Sequence, residues 1–388
     1  MYNHTRSIHG SSFSIFRMKS IYIPVALILC FFLFIYTPLP SRYENHRDAI
    51  LQHLADETQE HLPASGLRSK PASVDGQKSG TDSRYAFATF LAGTGATDTE
   101  SDLDEDHYFV ATRILAYQLL HAPETRTNVK IPFVVLATQD VSEAKQARLR
   151  KDGALVIVVE PVDPGWVITK TSTWKDVMTK LRLWELTQFE RVLFLDGDTV
   201  LTRPLDDVFE DPAVKLQVTH DNTEYIVADE GTLPLTYAFA GVPETKRVHS
   251  YPPTEENHSY PNSNYLNAGF FVLRPSIEAF NYYTSLLIPA SPTTTSDEPA
   301  KQRFVPEFPE QNLLNHAHRR EGNMPWLALN NTWNIHYPSA QDLHGGVATL
   351  HEKWWAPFDP EIGPFLQSWR WRMQGFFEAR DRVVELGR

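Results

Sequence analysis

Two aspartates stand one residue apart in the stretch RVLFLDGDTVL, residues 191–201, directly after five residues of strand character. In an extended segment, residues two apart point to the same side, so Asp196 and Asp198 can converge on one point. Gly197 between them leaves room for a ligand to come close. Two ionised carboxylates suit a hard divalent cation such as magnesium or manganese, which offsets their mutual repulsion. For an isolated Asp-x-Asp pair, a solvated turn after a strand is the ordinary alternative.

Strands and helices alternate in the sequence that leads to this pair. The hydrophobic patterns predict strands at 85–93, 131–138, 154–160 and 191–195, and helices at 106–122, 142–153 and 174–189. This alternation predicts an α/β fold with a central, mainly parallel sheet and helices on both faces. Ligands of such sheets bind beyond the carboxyl ends of the strands, which is where the two aspartates are expected.

The second half of the chain continues the same pattern with longer interruptions. A strand is predicted at 264–276, a helix at 276–288 and an amphipathic helix at 369–386, which packs on the domain. Residues 221–263 and 289–306 are rich in Pro, Thr and Glu and are predicted to be long loops or insertions.

The N-terminus carries an apolar run at 21–36 that extends to Leu39. A spanning helix needs about 17–25 residues, so this run is short but adequate. Arg6, Arg17 and Lys19 precede it, and the positive-inside rule places them in the cytoplasm. The sequence therefore predicts a cytoplasmic tail at 1–20, a signal anchor at 21–39, a stem at 40–83 and a lumenal domain at 84–388. A cleaved signal peptide is the alternative, but no small-x-small site follows the run.

Charge and cysteine content exclude several classes of protein. The formal net charge of −12 argues against a nucleic-acid partner, which needs an excess of Lys and Arg. An anionic ligand would require local cations or a metal ion. Cys30 is the only cysteine, so no disulfide framework or cysteine-based zinc site forms within one chain.

Several pieces of the sequence, in a fixed order, resemble the glycogenin-like members of glycosyltransferase family 8. The longest piece is MTKLRLWELTQFERVLFLDGDTVLTRPLDDVFE, residues 178–210. It is followed by NAGFFVLRPS at 267–276, EQNLLN at 310–315, WNIHY at 333–337 and LHEKWW at 350–355. The resemblance covers about residues 84–357. It implies a GT-A fold with one Rossmann-like unit and a smaller mixed sheet.

The resemblance also implies roles for individual residues. The metal ligands would be Asp196, Asp198 and His351, holding manganese, or magnesium in its place, against the diphosphate of a UDP-sugar. The reacting sugar would lie beside the catalytic residues Glu310 and Gln311. The remaining donor contacts would be Tyr108, Lys180, Gly197, Asn267, Ala268 and Lys353. Outside the resemblance, His351 would be read as a loop histidine, Lys180 as an exposed helix lysine, and Trp355 as a core anchor.

The implied function is a retaining transfer of a hexosyl or N-acetylhexosaminyl group from a UDP-sugar to a hydroxyl of a glycan or glycoprotein. The predicted anchor resembles that of Golgi-anchored fungal members, so a single-pass type II protein of the Golgi membrane is expected. One alternative is a haloacid dehalogenase-type phosphatase with Asp196 as nucleophile. That motif normally lies on the first strand of its domain, whereas three predicted strands precede the 191–195 strand that leads to Asp196. A non-catalytic lectin or scaffold is the other alternative.

Overall fold

The computed structural model describes residues 83–93, 103–168, 176–289 and 302–386. The predicted tail, anchor and stem lie outside these ranges, apart from the last residue of the stem. Within the described ranges, no helix is both long enough and apolar enough to cross a bilayer.

Twelve strands occur in the described part of the chain: β1 Tyr85–Leu91, β2 Phe133–Thr138, β3 Leu155–Val159, β4 Arg191–Leu195, β5 Thr199–Leu201, β6 Gln217–Val218, β7 Thr236–Tyr237, β8 Phe239–Pro243, β9 Leu266–Leu273, β10 Leu327–Ala328, β11 Asn334–His336 and β12 Thr349–His351. The α-helices are α1 His107–Leu120, α2 Glu143–Asp152, α3 Ile277–Ser285, α4 Pro309–Ala317, α5 Ala340–Gly345 and α6 Gly363–Glu385. Short 3-10 helices span Val177–Glu185, Asp206–Glu210, Pro212–Val214, Thr223–Tyr225 and Pro360–Ile362.

The central sheet has seven strands in the order β10-β8-β9-β4-β1-β2-β3. Strands β1, β2, β3 and β4 pair in parallel, whereas β9 is antiparallel to both β4 and β8. A second sheet has the order β11-β12-β5 and contains one parallel and one antiparallel pair. The predicted GT-A architecture, a mainly parallel sheet with a smaller mixed one, is therefore confirmed.

Both faces of the central sheet are buried, as its continuous apolar strands require. Neighbouring residues of β9 show the two cores: Phe271 packs with Trp184 and Phe194 on one face, and Phe270 packs with Phe87 and other residues on the opposite face. The first core lies under the 177–185 segment and helices α3 and α4, and the second lies under α1 and α2. The sheet is thus a rigid platform that fixes the strand ends.

Local sequence signals account for the helix ends. The side chain of Asp106 accepts hydrogen bonds from the backbone N–H groups of Tyr108 and Phe109 and so caps the start of α1. Ser142 caps α2 in the same way, and Gly153 ends it in the left-handed conformation with φ 111°. The C-terminal helix is confirmed: Leu366, Trp369, Met373 and Phe377 form its buried stripe.

Two predictions for the central part of the chain are wrong in detail. The helix expected at 174–189 is a 3-10 helix at Val177–Glu185, and seven of its residues are buried. Packing therefore decides its conformation more than helical propensity does. The loop expected at 221–263 contains β7 and β8, and β8 pairs with β9 inside the central sheet. Its sequence, FAGVP, is short and includes Gly and Pro, which mask a strand in pattern analysis.

Candidate active site

The Asp-Gly-Asp motif joins the two sheets. Asp196 directly follows β4, and its backbone N–H donates to the carbonyl of Gly269 in β9 over 2.8 Å. Asp198 directly precedes β5, and its carbonyl accepts from the N–H of Glu352, just beyond β12, over 2.9 Å. Each aspartate is thus fixed by a different sheet, and both lie where the sheets meet.

His351, the last residue of β12, closes a cluster with these aspartates. Its Nε2 atom lies 3.3 Å from Oδ1 of Asp198 and 3.7 Å from Oδ2 of Asp196. One ligand atom from each residue falls within 4.8 Å of the others. Neighbouring ligands of an octahedral ion with bonds of about 2.1 Å are about 3 Å apart. Two carboxylates and one imidazole at this spacing therefore fit a divalent cation.

The electrostatics of the cluster favour a positive charge between these side chains. Burial opposes ionisation of Asp198, but the hydrogen bond and charge of His351 lower its pKa to about 2. Burial also opposes protonation of His351, yet Asp198 and Asp196 raise its pKa above the ordinary value. The charge of Lys353 contributes to the low pKa of Asp198, so Lys353 acts on the same cluster.

Gly269 makes room for the His351 ring. A Cβ atom at this position would lie 2.1 Å from Cε1 of His351 and 2.5 Å from Nδ1. The ring therefore packs directly on the backbone of β9. On its other side it stacks on His336, at 4.7 Å between centroids. The sequence motif NAGFF contained Gly269, but only packing shows that His351 requires it.

Lys180 links the aspartate cluster to Glu310. Its Nζ atom donates to Oδ1 of Asp196 over 2.8 Å and to Oε1 of Glu310 over 2.9 Å. Burial opposes the charge of Lys180, but the two carboxylates outweigh it and raise the pKa. Lys180 is only 8% exposed, so its reading as an exposed helix lysine is wrong. Because Lys180 occupies Oδ1 of Asp196, Oδ2 is left facing His351.

Gln311 follows Glu310 in the first turn of α4, and both the oxygen and the nitrogen of its side-chain amide form hydrogen bonds. Its Oε1 atom accepts from the backbone N–H of Ala268 over 2.8 Å. Its Nε2 atom donates to Oε2 of Glu244 over 3.4 Å and to the hydroxyl of Tyr265 over 3.1 Å. Gln311 and Ala268 therefore meet, as predicted members of one site should.

Glu244 is a site residue that sequence reasoning missed. Its Oε2 atom also accepts from Nδ2 of Asn267 over 2.8 Å, and its Oε1 atom pairs with Nδ1 of His336 over 2.6 Å. Burial would raise the pKa of Glu244, but these partners, His336 first, lower it. The side chain of Asn267 is buried, and its Oδ1 accepts from the N–H of Gly269 over 3.0 Å. Glu244 follows β8, the strand that was itself missed.

Tyr108 lies in the first turn of α1 with 41% of its surface exposed. Burial and the charges of Asp198 and Asp196 raise the pKa of Tyr108 to about 12. Trp355 meets the Tyr108 ring edge-on at 5.1 Å and stacks on His107 at 5.0 Å. Trp354 is the buried tryptophan of this pair, and Trp355, expected as a core anchor, is half-buried and packs against the same core cluster.

Gly197 has free space on the protein side. A Cβ atom there would meet Oγ1 of Thr112 at 3.5 Å, an ordinary van der Waals contact. The packing of the protein itself therefore does not require glycine at this position. Close approach of a ligand remains the predicted reason for it.

The fold and this cluster define a glycosyltransferase-like protein, and the galactinol synthases among its sequence relatives agree at that level. No family model matches the chain. Galactinol synthase 3 of Arabidopsis thaliana is 26% identical over 309 residues, 72% of this chain and 83% of that protein. Among solved structures, mouse xyloside xylosyltransferase 1 aligns with 13% identity and a TM-score of 0.39, covering 69% of this chain and 96% of that one.

The family of the chain follows from its similarity to a fission-yeast protein. Uncharacterized protein C5H10.12c of Schizosaccharomyces pombe is 31% identical over 300 residues, which are 70% of this chain and 76% of the relative. The chain belongs to the family of that protein.

Proposed function

We propose that this chain is a manganese-dependent, retaining glycosyltransferase. It moves a hexosyl or N-acetylhexosaminyl group from a UDP-sugar to a hydroxyl of a glycan or glycoprotein. One observation carries the proposal: Asp196, Asp198 and His351 converge at the junction of two sheets, beside the Lys180–Glu310 pair. The galactinol synthase relatives support the same class of reaction.

The cluster suits the diphosphate of a sugar donor. Asp196, Asp198 and His351 would hold manganese, or magnesium in its place, which when bound neutralises charge on the departing diphosphate. The chain has a net charge of −12, so an anionic donor needs such a local positive centre. Lys353, whose charge acts on Asp198, adds to it. Tyr108 and Trp355 offer ring surfaces to the nucleotide beside this centre.

Glu310 is the side chain best placed to act on the sugar. Lys180 holds one of its carboxylate oxygens and so fixes the direction of the other. A carboxylate beside the anomeric carbon stabilises the positive charge that develops there as the diphosphate leaves. Glu244 fixes the amides of Asn267 and Gln311, which would form the wall against which the sugar lies.

The experiment uses the purified full-length chain with a panel of UDP-sugars, with and without manganese, and measures both donor hydrolysis and transfer. We expect turnover of one UDP-sugar, abolished by a chelator and by Asp198→Ala. The exposed Asp221 provides a matched control, since Asp221→Ala removes a carboxylate elsewhere. Metal-independent turnover, or an Asp198→Ala variant as active as the parent, would contradict the proposal.

We also propose that residues 21–39 anchor the protein in the Golgi membrane as a single-pass type II protein, with residues 84–388 in the lumen. The apolar run and its preceding basic residues support this orientation. In intact Golgi vesicles, added protease should leave the 84–388 part intact until detergent is added. Its digestion without detergent would show the opposite orientation.

A further inference from the structure

A row of four rings leads away from the metal cluster: His351, His336, Tyr337 and Phe358. His351 stacks on His336 at 4.7 Å, His336 stacks on Tyr337 at 3.8 Å, and Tyr337 meets Phe358 edge-on at 6.0 Å. This ring row begins at a candidate metal ligand and ends at Phe358, which is 48% exposed. It therefore connects the site to solvent on the side of β11.

The backbone of Tyr337 is strained in a way that maintains the row. Tyr337 has φ 58°, a left-handed conformation that is rare for a bulky residue. Such conformations are unfavourable for bulky residues and cluster at functional positions, where the surrounding structure imposes them. In this protein the residue with the strained backbone is the one whose ring stacks on His336.

Arg247 adds a cationic donor above the two outer rings. Its guanidinium carbon lies 5.2 Å from the centre of the Tyr337 ring and 5.7 Å from that of Phe358. Within the part of the chain that the structure describes, Arg247 forms no ion pair. Its N–H groups are thus available to hydroxyl or ring oxygens of a ligand.

The ring row starts beside the side chains that are proposed to line the donor-sugar site. His336 pairs with Glu244, the same carboxylate that holds Asn267 and Gln311. Tyr108 and Trp355, the rings assigned to the nucleotide, meet each other edge-on, and neither ring pairs with a ring of this row. An acceptor that approaches along the row would therefore arrive at the sugar without crossing the nucleotide.

We propose that Tyr337, Phe358 and Arg247 form the acceptor subsite and bind a pyranose ring of the acceptor glycan. The apolar C–H face of the pyranose packs on the exposed ring of Phe358, and Arg247 donates hydrogen bonds to its oxygens. Tyr337, whose ring stacks on His336, meets Phe358 edge-on and supports it from the side of the metal cluster. This subsite rests on the proposed function, because it gains its role from a donor sugar beside Glu310.

The test measures binding of four methyl pyranosides, those of glucose, galactose, mannose and N-acetylglucosamine, to the full-length chain with manganese and UDP. Saturation-transfer NMR detects contact, and titration gives the affinity. At least one methyl pyranoside should bind. Phe358→Leu keeps the side chain apolar but removes the ring, and should weaken binding about three- to tenfold. Phe358→Trp should restore it.

Trp371→Ala is the matched control, since Trp371 is an exposed aromatic residue on α6 outside the row. It should leave pyranoside affinity unchanged. UDP affinity, measured in the same samples, separates the two proposals. A parent chain that does not bind UDP with manganese contradicts the proposed function. A chain that binds UDP but no methyl pyranoside, or in which Phe358→Leu binds as well as the parent, overturns the acceptor subsite alone.

Discussion

The sheet junction and the ring row differ in what holds them. At the junction, Asp196, Lys180 and Glu310 pair with one another, and their side chains are 26%, 10% and 12% exposed. In the row, Phe358 and Arg247 lie on loops and face solvent. The junction is fixed by two sheets that share one motif, whereas the outer end of the row lies on loops. The proposed chemistry thus lies on the part of the fold that two sheets hold, and the proposed recognition lies on loops.

Glu310→Gln should separate the chemical step from donor binding. The amide keeps the shape of Glu310 but removes the charge that stabilises the reacting carbon, so we expect transfer to fall about 1000-fold or more. Manganese-dependent UDP affinity should stay close to that of the parent. Steady-state transfer rates and UDP titrations measure the two effects. Near-parental transfer by this variant would remove Glu310 from the catalytic step.

Lys180→Ala should destabilise the junction. It leaves the carboxylates of Asp196 and Glu310 without their shared cation in a buried site, which should lower the free energy of unfolding by about 3–5 kcal/mol. Arg182→Ala is the control from the same 3-10 helix, since Arg182 makes a more exposed pair with Glu185 worth about 1 kcal/mol or less. Chemical denaturation compares them. Equal decreases in the free energy of unfolding for both variants would show that Lys180 does not stabilise the junction more than a surface ion pair does.

Two glycines of the junction should respond differently to alanine. Gly269→Ala pushes a methyl group into His351, so manganese affinity should fall about 10- to 100-fold. Gly197→Ala meets only ordinary protein contacts, so folding should be unchanged and only UDP-sugar affinity should drop. Manganese and donor titrations, each with a melting curve, distinguish the cases. Unchanged manganese affinity in Gly269→Ala would argue against His351 as a ligand.

A buried ion pair holds the loop that carries Arg247. Nε2 of His249 lies 3.1 Å from Oδ2 of Asp342, and Nδ1 of His249 lies 2.8 Å from the carbonyl of Lys246. Both partners are acceptors, so the ring bonds to both when it is protonated. Burial opposes this charge, but Asp342 raises the pKa of His249, and His249 in turn helps to lower that of Asp342.

This ion pair should make the stability of the protein depend measurably on pH. The His249 contribution to stability is fully present below its unfolded pKa of about 6.5 and is lost as pH rises through the higher folded value. The Asp342 contribution is present above its unfolded pKa of about 3.9 and is lost as pH falls through the lower folded value. Stability from this pair is therefore largest at mildly acidic pH.

Melting curves between pH 5 and 9 check this expectation. The melting temperature of the parent, relative to that of His249→Gln, should drop by about 2–4 °C as pH rises across this range. A constant difference between the two proteins would show that His249 does not titrate there.

Sequence reasoning located the junction because its signals are local. The Asp-x-Asp spacing follows directly from strand geometry, and the strands β1 to β4 are long apolar runs. Residues whose roles depend on contacts distant in sequence were named only through the family resemblance or were missed. Glu244 follows a five-residue strand hidden by Gly and Pro, and Gly269 matters only because His351 lies against it. Lys180 was named as a donor contact only through the resemblance, because its two carboxylate partners are 16 and 130 positions away and no local pattern shows them.

Manganese binding measures the central claim most directly. Titration of the purified full-length chain with manganese, followed by electron paramagnetic resonance and calorimetry, should show one site that UDP strengthens. Asp198→Asn, which keeps the shape but removes the charge, should abolish that site, while the exposed Asp221→Asn should retain it. If Asp198→Asn binds manganese as tightly as the parent, the Asp196–Asp198–His351 cluster is not the metal site and the account fails.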